Sequence, residues 1–164
     1  MSKGLFITGT GTDVGKTYVT ALLAKKLKQD GLSVAYYKAA MSGNVRNAKG
    51  KLIPGDAVQV ISTAGLVQSL STVCPYVYEH AVSPHLAAKL EGNSVDLSSV
   101  VAGYAELCAH YDAVLMEGAG GILCPLRNDA EEKLWTVDLI RDCHLNCLLV
   151  ADAGLGAINA VGFI

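Results

Sequence analysis

A chain of 164 residues with 13 Lys+Arg, 15 Asp+Glu and a formal charge of −2 is long enough for one domain and too short for two ordinary ones. At that size folding buries roughly 70% of the unfolded surface, so no metal or disulfide staple is needed. The near-neutral balance, a mean hydropathy of +0.35 and 17 glycines exclude disorder, collagen, coiled coil and a basic surface made for nucleic acid or acidic lipid.

Residues 3–8 form a short apolar strand that runs into a Gly/Thr-rich loop. The spacing of Val19, Leu22, Leu23 and Leu27 predicts a helix over 17–30. Lys25, Lys26 and Lys28 lie toward its end, where cations suit the dipole, and Gly31 closes it. A second strand is predicted over 33–38. The polar, Gly-containing stretch 39–55 is too long for a mere turn and reads as a functional loop. A helix over 56–64 starts with Asp56, a residue type that also serves as a cap. Ser83 as cap and Pro84 in the first turn open a helix over 83–92. Beyond it come a helix over 96–110, a strand over 113–116 ending at Glu117, a helix over 135–143, a strand over 146–151 and a helix beginning near Gly156. Apolar strands alternating with helices give an α/β fold, a parallel sheet with helices on both faces. Ligands of such sheets sit at the carboxyl ends of the strands.

No apolar run reaches the ~18 residues of a membrane helix, and the start lacks the charge–apolar–cleavage layout of a signal peptide. A single domain over 1–164 in the cytoplasm is expected, with no membrane and no nucleic-acid partner. The charged fraction of 17% is below the ~25% of an average soluble chain and leaves apolar surface for a partner subunit. Cys74, Cys108, Cys124, Cys143 and Cys147 are scattered and complete no metal site, so they read as reduced core thiols. His85 and His144 also lack a partner at metal spacing and read as packing or surface residues.

The chemistry begins at Gly9-Thr10-Gly11-Thr12-Asp13-Val14-Gly15-Lys16-Thr17. Gly15-Lys16-Thr17 is the end of a phosphate-binding loop between a strand and an amphipathic helix. Its glycines let backbone N–H groups converge on phosphate oxygens, Lys16 can reach the β- and γ-phosphates, and the Thr17 hydroxyl can ligate Mg²⁺. Thr10 stands where the strict pattern has its first glycine, so counted from Gly9 the loop is one residue longer. A P-loop NTPase-like parallel sheet is therefore expected. The strand ending in Glu117 opens into Gly118-Ala119-Gly120-Gly121. That places a rigid carboxylate near the phosphates, as a Mg²⁺-positioning acid requires. Lys38 ends the second predicted strand and so points to the same crevice.

Taken together, the chain resembles the dethiobiotin synthetase family. The matching stretches are GTGTDVGKT at 9–17, YYKAAMSGN at 36–44, GDA at 55–57, SPHLAA at 83–88, MEGAGGILCPL at 116–126 and GLGAIN at 154–159. The resemblance implies ATP- and Mg²⁺-dependent closure of a cyclic urea from 7,8-diaminopelargonate and CO₂, through a carbamate and a carbamic-phosphoric anhydride. It implies Lys38 and Lys16 as catalytic lysines, and Thr17, Asp56 and Glu117 as Mg²⁺ ligands. Asp13, Val14, Gly15, Lys16, Thr17 and Tyr18, with Glu117, Gly118, Ala119 and Gly120, would surround the phosphates. Thr12, Asp13 and Ser42 would meet the substrate. Gly156, Ala157, Ile158 and Asn159 would bind the substrate's carboxylate end across a homodimer. Residue 164 falls inside the helix after GLGAIN, so the family's C-terminal base-contacting segment is expected to be lacking.

Two other readings belong to different classes. An amidase-type synthetase of cobalamin assembly shares this P-loop class but needs an appended glutamine-hydrolysing domain or an ammonia source. A partitioning-type ATPase switch carries a further lysine five residues before the P-loop lysine, where this chain has Gly11.

Overall fold

The structure, a computed structural model, describes residues 3–164. The chain opens with β1 (Lys3–Gly9), α1 (Lys16–Gln29) and β2 (Val34–Tyr37), then the short strands β3 (Ala40–Met41), β4 (Val45–Arg46) and β5 (Leu52–Ile53). It continues through α2 (Gly55–Ala64), β6 (Tyr76–Val77), α3 (Pro84–Glu91), α4 (Leu97–His110) and β7 (Ala113–Glu117). A hairpin of β8 (Pro125–Asn128) and β9 (Lys133–Trp135) leads to α5 (Thr136–Asp142), β10 (Asn146–Val150) and α6 (Ala157–Gly162).

Four strands form one parallel sheet in the order β10-β1-β7-β2. The two-residue period of a strand sends neighbouring side chains to opposite faces. Phe6, Ala35, Tyr37, Val114 and Met116 point to one face and join Ala87 of α3, Val100 and Leu107 of α4, and Leu139 of α5. Ile7, Val34, Tyr36 and Leu115 point to the other and meet Ala21 and Ala24 of α1 and Ala57, Val60 and Ala64 of α2. The sheet is thus covered on both faces, as the alternation of elements predicts. Among the described residues no helix is long and apolar enough to cross a membrane.

Local details depart from the sequence reading for physical reasons. On α1 the residues that turn inward are Thr20, Ala21 and Ala24, while Leu22 is largely exposed. Small residues let α1 lie close to α2 and the sheet, and the leucine row is left partly outside. The stretch 39–55 holds β3, which pairs with β6, and the antiparallel pair β4 and β5. Helix α2 begins at Gly55 after Pro54, and the Gly55 N–H is taken up from outside the helix, by Asn44 Oδ1 at 3.0 Å. Ser83 stands at the N-cap of α3 with Pro84 following, yet its hydroxyl makes no capping bond. Trp135 both closes β9 and stands at the N-cap of α5, where its N–H donates to Asp138 Oδ2 at 2.9 Å.

All five cysteines are free, but only Cys74 is fully buried and Cys147 is exposed. Cys147 lies on β10, an edge strand, so the expectation of core thiols fails there. His144 is a surface residue in the left-handed region (φ 50°) just after α5. His85 is half-buried, and its Nδ1 has no hydrogen-bond partner among the described residues. The opposite edge, β2, is sealed by a side chain. The Gln68 amide accepts from the Tyr36 N–H at 2.8 Å and donates to the Tyr36 carbonyl at 2.9 Å, as a neighbouring strand would.

Candidate active site

Three parallel strands deliver their C-terminal ends to one edge of the sheet. β1 runs into the phosphate-loop sequence, Lys38 follows the last residue of β2, and Glu117 is the last residue of β7. In the loop Asp13 has φ 60° and Gly15 φ 94°. Asp tolerates the left-handed region better than most residues, whereas a β-carbon at Gly15 would be strained although space is open around it. Gly15 is the N-cap of α1, and no side chain fills that helix start. A 14-residue helix with an unfilled N-terminus and Lys16 beside it suits an anion.

Lys16 is only 6% exposed. Its Nζ donates to the Gly11 carbonyl at 2.6 Å, folding back over the loop. Burial, with Lys38 nearby, lowers its pKa from the ordinary value.

Lys38 is 5% exposed and Glu117 1%. The Lys38 ammonium donates to Asp56 Oδ2 at 2.6 Å and to Glu117 Oε1 at 2.9 Å. Burial alone would lower the Lys38 pKa, but the Glu117 and Asp56 carboxylates outweigh it and hold the group above its ordinary value. Thr17 Oγ1 also donates to Glu117 Oε1, at 2.8 Å, and the buried Tyr36 hydroxyl donates to Oε2 at 3.3 Å. Asp56 sits in the first turn of α2 and spends its carboxylate on Lys38, so the simple reading of it as a cap fails.

These groups face a cleft of about 800 Å³. It brings together Thr12, Asp13, Gly15, Lys16, Thr17, Tyr18, Lys38, Ser42, Asp56, Glu117, Ala119 and Gly120. Two residues expected there do not line it. Val14 turns toward the core on the α1 side. Gly118 is pressed against Phe6, where a β-carbon would lie 2.9 Å from the ring. Gly156, Ala157, Ile158 and Asn159 form the start of α6, away from this cleft, and all but the half-buried Ala157 are exposed. The sequence reading missed Tyr36, and also Gln59, which lines the cleft one helical turn after Asp56. The i, i+3 spacing on α2 was the available signal for Gln59.

The cleft's charged lining is two lysines and three carboxylates, a formal −1. A polyphosphate would be repelled by that balance unless it brought a divalent cation, which would make the site +1. Among the described residues no cluster of three His, Cys, Asp or Glu side chains could hold a metal by itself. The Asp56 and Glu117 carboxylates nevertheless meet at the Lys38 ammonium, and the Thr17 hydroxyl sits on Glu117 Oε1. Hard oxygens of that number suit Mg²⁺, which usually keeps several waters and takes its other oxygens from phosphate. The donor set therefore fits Mg²⁺ arriving with a nucleotide.

A family model described as an AAA domain matches residues 3–163. The ATP-dependent dethiobiotin synthetase BioD of Brachyspira hyodysenteriae is 44% identical over 160 residues, 98% of this chain and 70% of that protein. The proteins of the same name from Clostridium perfringens and Clostridium kluyveri are 42% and 45% identical over 159 residues. This chain spans 69% and 66% of their respective lengths, with 97% of it matched in each case. Among solved structures, the cell division protein FtsY of Thermotoga maritima superposes with a TM-score of 0.50 at 18% identity. The match covers 99% of this chain and 47% of that one, a likeness of fold alone.

Proposed function

The chain belongs to the dethiobiotin synthetase family, and on that premise we propose that it is an ATP-dependent carbon–nitrogen ligase that makes dethiobiotin from 7,8-diaminopelargonate and CO₂. The observation that carries the reading is the meeting of the Lys16 loop, Lys38 and Glu117 in one cleft large enough for a nucleotide phosphate tail and a second substrate.

The chemistry asks the protein for charge compensation and positioning rather than for a nucleophile. One substrate amine bonds to CO₂ and loses a proton, giving a carbamate. The carbamate oxygen takes the γ-phosphoryl group of ATP, and ADP leaves. The second amine then attacks the carbamoyl carbon and gives up a proton, the C–O bond breaks with release of inorganic phosphate, and the urea ring closes. Two anions must approach in the middle step, and preorganised positive charge is the main source of rate there. Lys16 approaches from the loop and Lys38 from the end of β2, both drawn out of water, where a charge acts most strongly. Thr17, Asp56 and Glu117 would hold Mg²⁺, which when bound would offset the negative charge of the phosphates. Thr12, Asp13 and Ser42 line the cleft and would face the diamine. The exposed start of α6, with Gly156, Ala157, Ile158 and Asn159, would serve the substrate carboxylate of a second subunit in a homodimer.

The test is ADP release from ATP and Mg²⁺. A ligase requires both diaminopelargonate and bicarbonate, and the product carries one carbon from labelled bicarbonate. Steady ADP release without either compound would overturn the reading in favour of an ATPase switch.

A further inference from the structure

The two oxygens of Glu117 are held by different kinds of partner. Oε1 takes the hydrogen bonds of Thr17 and Lys38, the groups that face the cleft. Oε2 points back into the protein toward the hydroxyl of Tyr36, at 3.3 Å. We propose that Tyr36 is a positioning residue: its phenol anchors Oε2 so that Oε1 alone is presented to the divalent cation. The proposal rests on the reading of Glu117 as a Mg²⁺ ligand.

The register explains how a residue on another strand reaches this carboxylate. Tyr36 pairs with Leu115 across β2 and β7. Glu117 lies two residues beyond Leu115, hence on the same face, and the tyrosine ring spans that interval along the sheet. Gln68 grips both backbone polar groups of Tyr36, fixing the strand from which the ring projects. Side chain and main chain of Tyr36 are therefore both tied.

Packing alone does not call for the hydroxyl. Tyr36 is completely buried, where phenylalanine would fill nearly the same space and leave no polar atom to satisfy. The neighbouring Tyr37 shows the structural use of a buried tyrosine. Its hydroxyl donates to the Val100 carbonyl at 2.9 Å and ties β2 to α4 on the opposite face. Tyr36 instead gives its proton to the site.

Partners that orient a ligating carboxylate typically change metal affinity by ~10–100-fold, and the length of this bond places it at the low end, about tenfold. The experiment measures Mn²⁺ binding to the protein–ADP complex by the electron paramagnetic resonance of free Mn²⁺. Tyr36→Phe should raise the Mn²⁺ dissociation constant about tenfold. Tyr37→Phe, which also removes one buried hydroxyl from β2, should lower the melting temperature and leave Mn²⁺ binding unchanged. Equal Mn²⁺ affinity in Tyr36→Phe and the parent overturns the proposal, as do equal losses in both variants or no Mn²⁺ bound by the complex. The readout does not need turnover. A chain without ligase activity that still shows the Tyr36-specific shift would sink the proposed reaction and keep this role, and an active ligase without the shift would do the reverse.

Discussion

Replacing Lys38 by methionine keeps the buried stem and removes only the ammonium, so it isolates the charge. In the parent that ammonium is the shared partner of Asp56 at 2.6 Å and Glu117 at 2.9 Å. Breaking a buried pair by removing one member costs ~3–5 kcal/mol because the other charge is left unpaired. Glu117 is fully buried but the Asp56 side chain is 40% exposed, so the lower end, about 3 kcal/mol, applies. For a chain of this size that is a fall in melting temperature of ~6–12 °C at neutral pH without metal. Millimolar Mg²⁺ should stabilise the variant more than the parent, since it supplies the missing positive charge between the same oxygens. Turnover should fall ~10²–10³-fold, the usual effect of removing one transition-state charge partner.

The pH dependence has a definite sign. A lysine whose folded pKa is raised contributes stability that is fully present below its unfolded value of 10.5 and is lost as pH rises through the folded one. The gap between parent and Lys38→Met should therefore stay flat from neutral pH to about 10 and close only above it. Thermal melts with and without Mg²⁺, set beside ADP release, check all three points. An unchanged metal-free melting temperature, or an equal Mg²⁺ response in the two proteins, would refute the ion-pair argument.

Asp96 caps α4 by accepting from Ser99 N–H, and the Ser98 and Ser99 hydroxyls hold its carboxyl at about 2, below the ordinary 3.8. The stability lost in Asp96→Ala should thus shrink as pH falls from about 4 toward 2 in urea titrations; a constant difference would show that the carboxylate is not what caps. Gly118→Ala should destabilise by ~1–3 kcal/mol through overpacking against Phe6, and a melting temperature equal to the parent's would mean the Phe6 ring moves aside freely. Mixing inactive Lys38→Ala and Gly156→Trp proteins should restore activity if the α6 start serves a neighbouring subunit, whereas confirmed mixed dimers without activity would place the whole site in one chain.

Residues next to apolar strands were legible because the strands are. Lys38 and Glu117 follow or end runs that are buried on both faces, Lys16 lies one loop beyond the buried end of β1, and parallel strands put those ends together. Asp56 was legible only through resemblance, since by itself an acidic residue at a helix start reads as a cap. Tyr36 was hidden because its role depends on a register between residues 81 apart. Gln68 depends likewise on a loop folding back over 32 residues. The two-residue strands β3 to β6 carry no period at all, so nothing in their sequence separates them from loop.

Strand order explains why these residues make one site rather than three. β7 lies between β1 and β2. Its terminal carboxylate therefore falls between the loop that carries Thr17 and the strand end that carries Lys38, within 2.8 and 2.9 Å of their side chains. Were β1 and β2 direct neighbours, adjacent strands ~4.8 Å apart would bring Lys16 and Lys38 together with no anion between them. Two buried ammoniums at that spacing would each lower the other's pKa. The crossover that carries the chain from β2 through α2, α3 and α4 to β7 inserts Glu117 at the one place where it stabilises Lys38 and faces the phosphate loop. The topology of the sheet is, in this sense, the first positioning element of the site.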